Sequence, residues 1–459
     1  MPNNNMESKV ECKLLYYITK MICPVLHATL KHSLRSFQLI RCCYCTSPKY
    51  SEKNGTIELL GKKYQTDHVT NIRSSLIPKI GISLHNMKHH PLNLLKQQIV
   101  DYFYENFINR QKNPVFSVYD SISPVVTLHQ NFDSLLVPVD HISRKPSESF
   151  YLNSQYMLRA HTSAHQSDLI RTGLNAFLVF GDVYRRDTID SSHYPIFHQA
   201  EGVRLYRGQE LFSKMNITGD YQIFENGEKN ETKQPLHTKE AVMILEHELK
   251  STLESLAFEL FGKDVETQWV DAYFPFTHPS WELEIKFQGE WLEVLGCGIM
   301  EQELLTAAGA GDQIGWAFGL GLERLAMRLY SIPDIRQFWR YNDSGFMSQF
   351  AVKDTSTPIK YKEVSSYPQR TYNMSFWLTD GYSENDFYDL VRNVGGDVVE
   401  QVRLTDNFYH PKKKRHSHCY EIVYRDMSKT LSKEEANIIH KQIGEAASKE
   451  LGVENRWNL

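Results

Sequence analysis

Residues 181–202 read GDVYRRDTIDSSHYPIFHQAEG, which brings adjacent arginines, acids, a histidine and aromatic rings into a segment the length of one hairpin. The pattern predicts two short strands, 181–187 and 196–204, joined by the loop DTIDSSHYP, whose Asp, Ser and Pro residues are typical of turns. The many polar residues indicate that the two strands are not a core pair.

Alternation along the predicted strands groups the polar side chains by face. Arg185 and Asp187 share one face of the first strand, and Phe197, Gln199 and Glu201 line up on the second. Together they would form a floor that binds a ligand with an anionic and a cationic end. A solvated, charged hairpin is the alternative interpretation.

The composition sets limits on the rest of the chain. With 459 residues, 41% hydrophobic and 12% aromatic, the sequence predicts two or three domains with large cores. A formal net charge of −4 argues against a protein that coats a polyanion, so any nucleic-acid contact must come from local patches. No run approaches the roughly 18 apolar residues of a membrane span, and we expect none.

Residues 1–50 differ in composition from the rest. They carry no acid between Glu11 and Glu52 but several Lys and Arg residues among Leu, Ile, Phe and Ser, which resembles a mitochondrial transit peptide and predicts the mitochondrial matrix. A basic tail without an address is the alternative. The cysteines of residues 1–50 have no second pair of zinc ligands nearby, and their spacing is not typical of a disulfide framework. They are Cys12, Cys23, Cys42, Cys43 and Cys45.

Residues 61–350 have the dense apolar patterning of one large domain. Its segment 208–238 is polar and predicts a surface insertion. Several strand-like runs with helices at their ends indicate an α+β domain. The predicted helices are 90–110, 239–261 and 322–330, and the predicted strands include 269–276, 281–287, 290–295 and 315–321.

A linker at residues 351–367 precedes a smaller module at residues 368–459, hereafter the C-terminal module. The order strand, helix, strand, strand, helix, with a last strand after residue 451, is that of a ferredoxin-like split βαβ unit. Ser432 and Glu435 have the spacing of a capping box at the start of its second helix. The predicted elements are 371–378, 383–394, 398–405, 417–425 and 432–451.

Three polar segments of the large domain together resemble the signature set of class II aminoacyl-tRNA synthetases. They are RAHTSAHQ at 159–166, the hairpin at 181–202 and GLGLERLAM at 319–327. The strings HTSAHQ, YRRD, HYPIFHQAEG, FPFTHPSWELEI and WLEVLGCG are similar to those of the phenylalanyl-tRNA synthetase family. The resemblance implies an α+β fold: a class II catalytic domain built on an antiparallel sheet, followed by a ferredoxin-like anticodon-binding domain.

The resemblance also implies roles at the nucleotide end of a site. Activation joins a carboxylate to the α-phosphorus of ATP, so two anions must be neutralised and held in line. Arg185 would clamp the α-phosphate and the substrate carboxylate, since a guanidinium holds two oxygens in one plane. Arg324 would reach the γ-phosphate or the adenine, Phe197 would stack beneath the purine, and His193 would touch the β- or γ-phosphate. Asp187 belongs to the same end, where the family usually has a glutamate.

At the amino-acid end, the resemblance implies acceptors for an ammonium and a dry slot for the ring of L-phenylalanine. Phe274 and Phe276, alternating on one strand face, would clasp that ring edge-to-face, and Cys297 would form the pocket floor. Outside this setting, such a Phe pair is more typical of a plain core. The polar residues assigned here are His161, Ser163, Gln166, Gln199 and Glu201.

The remaining expectations concern ions and partners. Mg²⁺ would accompany ATP, with Glu290 or Glu293 as a ligand. The basic string between two predicted strands, next to Phe408 and Tyr409, suits an RNA loop, and the resemblance implies that it contacts tRNA(Phe); a nuclear-localisation string or a solvated loop are the alternatives. We expect a monomer without an editing domain, and loss of tRNA charging but not of ATP–pyrophosphate exchange when the C-terminal module is deleted. The basic residues are Lys412, Lys413, Lys414 and Arg415.

Three rival functions stay open at this stage. A synthetase for another amino acid would lack the combination of FPF and HTSAHQ, which suits an aromatic substrate. A non-catalytic RNA-binding paralogue would lack the nucleotide arginines, yet Arg185 and Arg324 are present. An accessory subunit of a larger synthetase is less consistent with the attached ferredoxin-like module.

Overall fold

The structure is a computed structural model that describes residues 50–51, 55–214, 222–287, 289–352, 354–355, 357–362, 367–426 and 428–456. The predicted transit peptide and its cysteines lie outside these ranges. The chain divides into two units, residues 1–63 and 64–459. At the start of the described chain, strands β1 (Tyr50–Ser51), β2 (Thr56–Leu59) and β3 (Lys62–Gln65) form a small sheet.

The large domain is built on a seven-stranded sheet in the order β4-β7-β8-β12-β11-β10-β9. All neighbours are antiparallel except β4 and β7, which are parallel. The predicted antiparallel α+β fold is therefore confirmed. The strands are β4 (Ser117–Tyr119), β7 (Ala176–Tyr184), β8 (Ile196–Tyr206), β9 (Thr267–Phe274), β10 (Thr277–Phe287), β11 (Glu290–Met300) and β12 (Ile314–Gly321), with β5 (Val125–Thr127) and β6 (Tyr156–Leu158) paired separately.

Helices pack on the sheet, and their bounds are close to those predicted. The first begins at Pro91, which suits a helix start because its missing N–H would be unpaired there anyway. Its Phe103 ring stacks on Phe318 of β12 with centroids 5.5 Å apart. The helices of this domain are α1 (Pro91–Asn106), α2 (Leu128–Asn131), α3 (Gln166–Arg171), α4 (Gly208–Lys214), α5 (Lys239–Phe261), α6 (Gln302–Ala307), α7 (Leu322–Tyr330) and α8 (Ser344–Ser348).

The polar segment at 208–238 is exposed at residues 225–232, while residues at its start and end are anchored in the domain. Helix α4 occupies its start. Farther along, Gln234 is only 2% exposed, and its amide nitrogen donates to the carbonyls of His278 and Met300 at 2.8 and 2.9 Å. The polar Gln234 side chain thus supplies partners for buried backbone carbonyls of β10 and β11.

The C-terminal module has the predicted ferredoxin-like order, and its antiparallel sheet runs β14-β15-β13-β16. Ser432 and Glu435 form the predicted capping box at the start of the second helix. Its elements are β13 (Arg370–Trp377), α9 (Glu384–Gly395), β14 (Val399–His410), β15 (Arg415–Tyr424), α10 (Lys433–Glu450) and β16 (Glu454–Asn455). Within the described part of the chain, no helix is both long and apolar enough to cross a membrane.

The segment between the two domains packs on the large domain. Tyr361 is 6% exposed, its N–H donates to the carbonyl of Tyr330 at 2.7 Å, and its hydroxyl donates to Gln337 Oε1 at 3.3 Å. The predicted linker is thus anchored by at least one buried aromatic residue.

Candidate active site

A cavity of about 570 Å³ opens over one face of strands β8, β11 and β12. Because antiparallel partners directly opposite each other share a face, the register places Glu201 beside Gly319, and Gly319 beside Gly296. The structure brings most of the predicted site residues to this cavity. They are His161, Ser163, Gln166, Arg185, Asp187, Gln199, Glu201, Phe274, Phe276, Glu293 and Cys297.

Glu201 is a buried carboxylate at one end of the cavity, with 2% of its surface exposed. Its Oε2 accepts from the hydroxyls of Ser163 and Thr162 at 2.6 and 2.9 Å, and its Oε1 accepts from the Gln166 amide at 2.7 Å. Burial raises the pKa of Glu201, while these three hydrogen bonds act in the opposite direction. Thr162 was missed in the sequence, although it lies inside the string HTSAHQ.

His161 lies beside the same end as a neutral ring. Burial, and then the nearby Arg185 charge, lower its pKa to about 3. Its ring centroid is 6.3 Å from that of Phe276. At neutral pH, His161 therefore contributes a polar, uncharged wall between the carboxylate and the aromatic side of the cavity.

The floor of the cavity consists of residues with no side chain or a small one. A Cβ atom added at Gly319 would meet nothing within 4 Å, so the space above it belongs to the cavity. Ala317 also lines the cavity and was missed, since Ala within an apolar strand carries no polar signal. Cys297 pairs with Phe318, whose ring lies against Gly202, on the face opposite Glu201. The prediction that Cys297 forms the floor is therefore wrong for its side chain; Gly296, its neighbour on β11, lies on the cavity face.

Phe274 and Phe276 both line the cavity, but not as alternating residues of one strand. Strand β9 ends at Phe274, and Phe276 lies in the turn before β10 begins at Thr277. The rings of Phe274 and Phe276 are stacked on each other, with centroids 6.0 Å apart and planes 21° apart. Gly296 makes this possible, because a Cβ there would lie 2.6 Å from the Phe274 ring.

Arg185 lies at the far end of the cavity, with Phe197 beside it. The Arg185 guanidinium lies 5.2 Å from the centre of the Phe197 ring, and its Nε donates to the Ala160 carbonyl at 2.8 Å. Strand β7 ends at Tyr184, so Arg185 begins the loop, yet its N–H still donates to the Pro195 carbonyl at 3.0 Å. Arg185 therefore still faces the cavity, as strand alternation predicts, although it lies just beyond the end of β7.

Arg324 at the start of α7 is held by Glu293 of β11, with Nη1 and Oε2 2.8 Å apart. Both side chains are about half exposed. Arg324, Glu293 and Asp187 all lie close enough to Arg185 to act electrostatically on its guanidinium. The predicted nucleotide residues therefore form one cluster of alternating charge.

His193 in the hairpin loop (residues 185–195) is paired with Asp190. Its Nδ1 lies 2.6 Å from Asp190 Oδ2, and this hydrogen bond raises the pKa of His193 although partial burial opposes it. Asp187 accepts from the N–H of Thr188 at 2.7 Å with one carboxylate oxygen. His193, Phe197 and Arg324 border the cluster rather than line the cavity itself.

Of the two carboxylates assigned to Mg²⁺, Glu293 lies at the cavity and Glu290 does not. Glu293 lines the cavity beside Arg324, whereas Glu290, the alternative, borders a separate hollow with Trp291 and Arg328. Among the described residues, no group of three or more His, Cys, Asp or Glu side chains is arranged to hold a metal ion.

The hairpin strands are buried, contrary to the prediction that they are too polar to be a core pair. All nine residues of β7 are buried, and Asp182 is compensated by Arg159, whose Nη2 lies 2.7 Å from Oδ1. Burial would raise the pKa of Asp182, but Arg159 holds it below its ordinary value. The ion pair between Arg159 and Asp182 holds β7 behind the cavity. Sequence patterns do not reveal this pair, because its members are 23 positions apart in the chain.

The basic string forms the tip of the β14–β15 hairpin. Lys413 and Arg415 lie 4.9 and 5.7 Å from the ring centre of Trp377, and Arg415 also pairs with Glu454 at 2.5 Å. Phe408 and Tyr409 on β14 are 41% and 47% exposed. A cationic tip with exposed rings beside it is therefore present, with Lys412 and Lys414 in the turn itself.

The hairpin loop also contacts the C-terminal module. Arg392 of α9 donates to the carbonyls of Asp187 and Thr188, and the N–H of Val402 donates to the carbonyl of Ile189 at 2.8 Å. Ile189 is 4% exposed and packs in the module's own hydrophobic core. The loop that carries the predicted nucleotide residues is thus shaped by both domains.

Comparisons with known proteins match both domains. The family described as "tRNA synthetases class II core domain (F)" matches residues 77–218 and 226–350. The family described as "Ferredoxin-fold anticodon binding domain" matches residues 365–456.

Curated relatives are similar over most of their length. "Phenylalanine--tRNA ligase, mitochondrial" of Mus musculus is 56% identical over 402 residues, which covers 87% of this chain and 89% of the relative. "Probable phenylalanine--tRNA ligase, mitochondrial" of Drosophila melanogaster is 51% identical over 419 residues, covering 87% and 92%. The Saccharomyces cerevisiae "Phenylalanine--tRNA ligase, mitochondrial" is 37% identical over 459 aligned residues, covering 87% and 95%. Because relatives at this identity align along most of both chains, the chain belongs to the phenylalanine–tRNA ligase family of class II aminoacyl-tRNA synthetases.

Proposed function

We propose that this chain activates L-phenylalanine with ATP to phenylalanyl-adenylate and transfers the phenylalanyl group to the 3′-terminal ribose of tRNA(Phe). One observation carries the proposal: an aromatic-walled slot ends at the buried Glu201 carboxylate and opens at its other end toward Arg185 and Arg324. A zwitterionic aromatic amino acid and a polyphosphate have the charges that these two ends complement.

The amino-acid end suits an ammonium group. Glu201 Oε1 accepts a single hydrogen bond from Gln166, so a carboxylate lone pair is left for a further donor. Gln166 Oε1 is buried without a hydrogen-bond partner among the described residues, and is a second acceptor. Among the described residues, Gln199 Oε1 accepts only the long contact from Thr162 N–H at 3.3 Å, so it can take part as well. Ser163 holds the carboxylate, and His161 closes the polar wall.

The aromatic slot suits the phenylalanine ring. Phe274 at the end of β9 and Phe276 in the turn would contact it, and the open space above Gly319 leaves room for a six-membered ring. Such a pocket discriminates poorly against an added hydroxyl, by roughly 10²-fold in comparable cases. We therefore expect tyrosine to be the main error.

In the first step, a carboxylate oxygen of phenylalanine attacks the α-phosphorus of ATP, and the bond to pyrophosphate breaks. Arg185 would hold the α-phosphate and the carboxylate together, which removes their repulsion and fixes the line of attack. Phe197 would stack on the purine, while Arg324 and His193 would bind the terminal phosphates. Asp187 would contact the substrate with a carboxylate one methylene shorter than the usual glutamate.

Mg²⁺ fits one carboxylate here rather than a preformed cage. Magnesium is usually held by one or two carboxylates together with substrate phosphates, and Glu293, which lines the cavity, would be such a carboxylate. When bound, the ion would neutralise charge on the β- and γ-phosphates.

In the second step, a hydroxyl of the terminal ribose attacks the adenylate carbonyl, and AMP leaves. The adenylate phosphate is a suitable acceptor for the hydroxyl proton, because none of the described residues at the cavity is an evident base. Lys412, Lys413, Lys414 and Arg415 would bind phosphates of the anticodon loop, and Phe408 and Tyr409 would stack with its bases.

The proposal extends to organisation and location. We assign residues 1–50 to a mitochondrial transit peptide, 61–350 to the catalytic domain, 351–367 to the linker and 368–459 to the anticodon-binding domain. The protein would act as a monomer in the mitochondrial matrix, without hydrolytic editing. Hydrolysis of preformed Tyr-tRNA(Phe) by the pure protein would contradict the last point.

Amino-acid-dependent ATP–pyrophosphate exchange, measured with each of the twenty amino acids, tests the central proposal. We expect exchange with phenylalanine and weak exchange with tyrosine. Arg185→Ala, which removes the clamp, is expected to abolish it. Stronger exchange with another amino acid than with phenylalanine, or none with phenylalanine in the presence of Mg²⁺, would overturn the assignment.

A further inference from the structure

A buried histidine–carboxylate pair lies behind the cavity, on the face of β8 opposite Glu201. His198 and Glu323 are 0% and 3% exposed. Both oxygens of Glu323 contact His198: Oε2 accepts from its backbone N–H at 2.7 Å, and Oε1 lies 2.6 Å from its Nδ1. The carboxylate is therefore committed to one residue of the neighbouring strand.

The position of this pair follows from where β12 ends. The ladder between β8 and β12 stops at the pair Gln199 and Gly321, after which the chain turns into α7 at Leu322. The next N–H of β8, that of His198, would have no strand partner. The Glu323 side chain reaches back and accepts it, so the carboxylate continues the ladder beyond the end of the strand.

Each of the two residues has a predicted nucleotide contact next to it in the chain. Phe197 immediately precedes His198, and Glu323 immediately precedes Arg324, while Gln199 on the other side of His198 belongs to the amino-acid end. Because β12 has already ended at Gly321, the contacts between His198 and Glu323 connect the start of α7 to β8. The amino-acid end, in contrast, is held by ladder pairs such as Glu201 with Gly319.

We propose that His198 and Glu323 are positioning residues that fix the distance between Phe197 and Arg324, and thereby the width of the nucleotide slot. This inference rests on the proposed function, because it assumes that ATP lies between these two side chains. It predicts that loosening the pair weakens ATP binding selectively and leaves phenylalanine binding nearly intact.

The contact geometry indicates which substitutions separate positioning from general stability. A carboxylate only accepts, so the contact with Glu323 Oε1 needs a proton on His198 Nδ1. His198 Nε2 is buried without a hydrogen-bond partner among the described residues. Asparagine offers a donor close to the Nδ1 position and has no atom at Nε2, whereas glutamine carries its donor one bond farther out. His198→Asn should thus keep the contact, and His198→Gln should break it.

The test compares these two variants in phenylalanine-dependent ATP–pyrophosphate exchange. We expect His198→Gln to raise the KM for ATP by about tenfold to a hundredfold, since a hydrogen bond to a buried charged group is lost, with the KM for phenylalanine changed by less than about threefold. His198→Asn should stay within about threefold of the wild type in both constants. Glu323→Gln, which can accept at only one atom, serves as a second variant and should resemble His198→Gln.

His90→Gln is the matched control for loss of a buried histidine. His90 is 0% exposed, contacts the Phe338 carbonyl at 2.8 Å and caps α1, outside the cavity. We expect a lower Tm with an unchanged ratio of the two KM values. Equal rises in both KM values for His198→Gln, or a wild-type KM for ATP in it, would overturn the inference. Absence of exchange in the wild type would instead contradict the proposed function.

Discussion

At Glu201, the negative charge that would bind the ammonium group also lowers the stability of the folded protein. Burial raises the pKa of this carboxyl, so its ionised form is costly to the folded protein until an ammonium arrives. A group whose pKa is raised on folding stabilises the fold at low pH, and that contribution is lost as the pH rises through the folded pKa.

Glu201→Gln should therefore separate the two roles. We expect kcat/KM for phenylalanine to fall by about 10²-fold, because a buried charge partner of the ammonium is removed. The Tm of the variant should rise relative to the wild type as the pH increases above about 4.5, where the unfolded glutamate ionises. Kinetics and thermal unfolding across this range are the measurements. A wild type that gains stability over the variant with rising pH would contradict the assignment.

His193 makes ATP binding dependent on pH. Its hydrogen bond to Asp190 raises its pKa, so it carries its charge above its ordinary titration range and loses it as the pH rises further. Since the pair is partly exposed, we expect the KM for ATP to rise by only about two- to fivefold from pH 6.5 to pH 8.5. In His193→Asn the KM should be higher and nearly flat over the same interval, at constant Mg²⁺. The same pH slope in both proteins would exclude this residue as the source.

At the scale of elements, β12 supplies part of the cavity floor at Gly319, a position without a side chain. A methyl group at Gly319 would enter the cavity without touching any other described residue. Gly319→Ala should thus reduce kcat/KM for phenylalanine by about tenfold or more, while Tm stays equal or rises slightly, because Ala lowers the entropy of the unfolded chain, worth about 0.4–1 kcal/mol.

Gly208→Ala is the matched control for this substitution. Gly208 begins α4, does not line the cavity, and a Cβ there would have its nearest neighbour at the ordinary distance of 3.4 Å. We expect normal exchange activity from it. If Gly319→Ala loses Tm and activity together, the floor has a packing role rather than one in binding.

Much of this architecture could be predicted from sequence, and the exceptions share a physical cause. Periodicity and turn residues located the helices and both hairpins because those signals are local. The burial of β7 depends on Arg159 reaching Asp182, and the opposite-face position of Cys297 depends on register with Phe318. Both are contacts between distant segments, which composition and spacing do not encode. Phe276 was placed on a strand because a turn with Pro275 reads as apolar alternation.

At the scale of the whole molecule, tRNA binding and amino-acid activation should be separable by surface charge. The triple variant of Lys412, Lys413 and Lys414 to Ala removes cations from an exposed tip without touching the cavity. We expect weaker tRNA charging and a fall of about 2 in the slope of log affinity against log salt, if each lysine meets one phosphate. Phenylalanine-dependent exchange should stay normal, and its loss would contradict the separation.

Deleting the entire C-terminal module is a different experiment, and the structure changes its expected result. Arg392 and Val402 hold the backbone of the hairpin loop, and Ile189 packs in the module's core. We therefore expect the truncated protein to lose ATP–pyrophosphate exchange as well as charging. The sequence-based expectation that exchange survives treated the two domains as independent. Retained exchange with a normal KM for ATP would support that independence after all.

The burial of Ile189 in the core of the C-terminal module has a consequence for the synthesis of the protein. Roughly 200 residues separate this side chain from the β14 backbone that holds it, so at about 5–20 residues per second a ribosome works for about 10–40 s between the two. During that interval the catalytic sheet can fold, but the hairpin loop lacks the contacts with the C-terminal module that hold its backbone. A nascent or prematurely terminated chain would then be unable to consume ATP, and only a finished polypeptide would become a working enzyme.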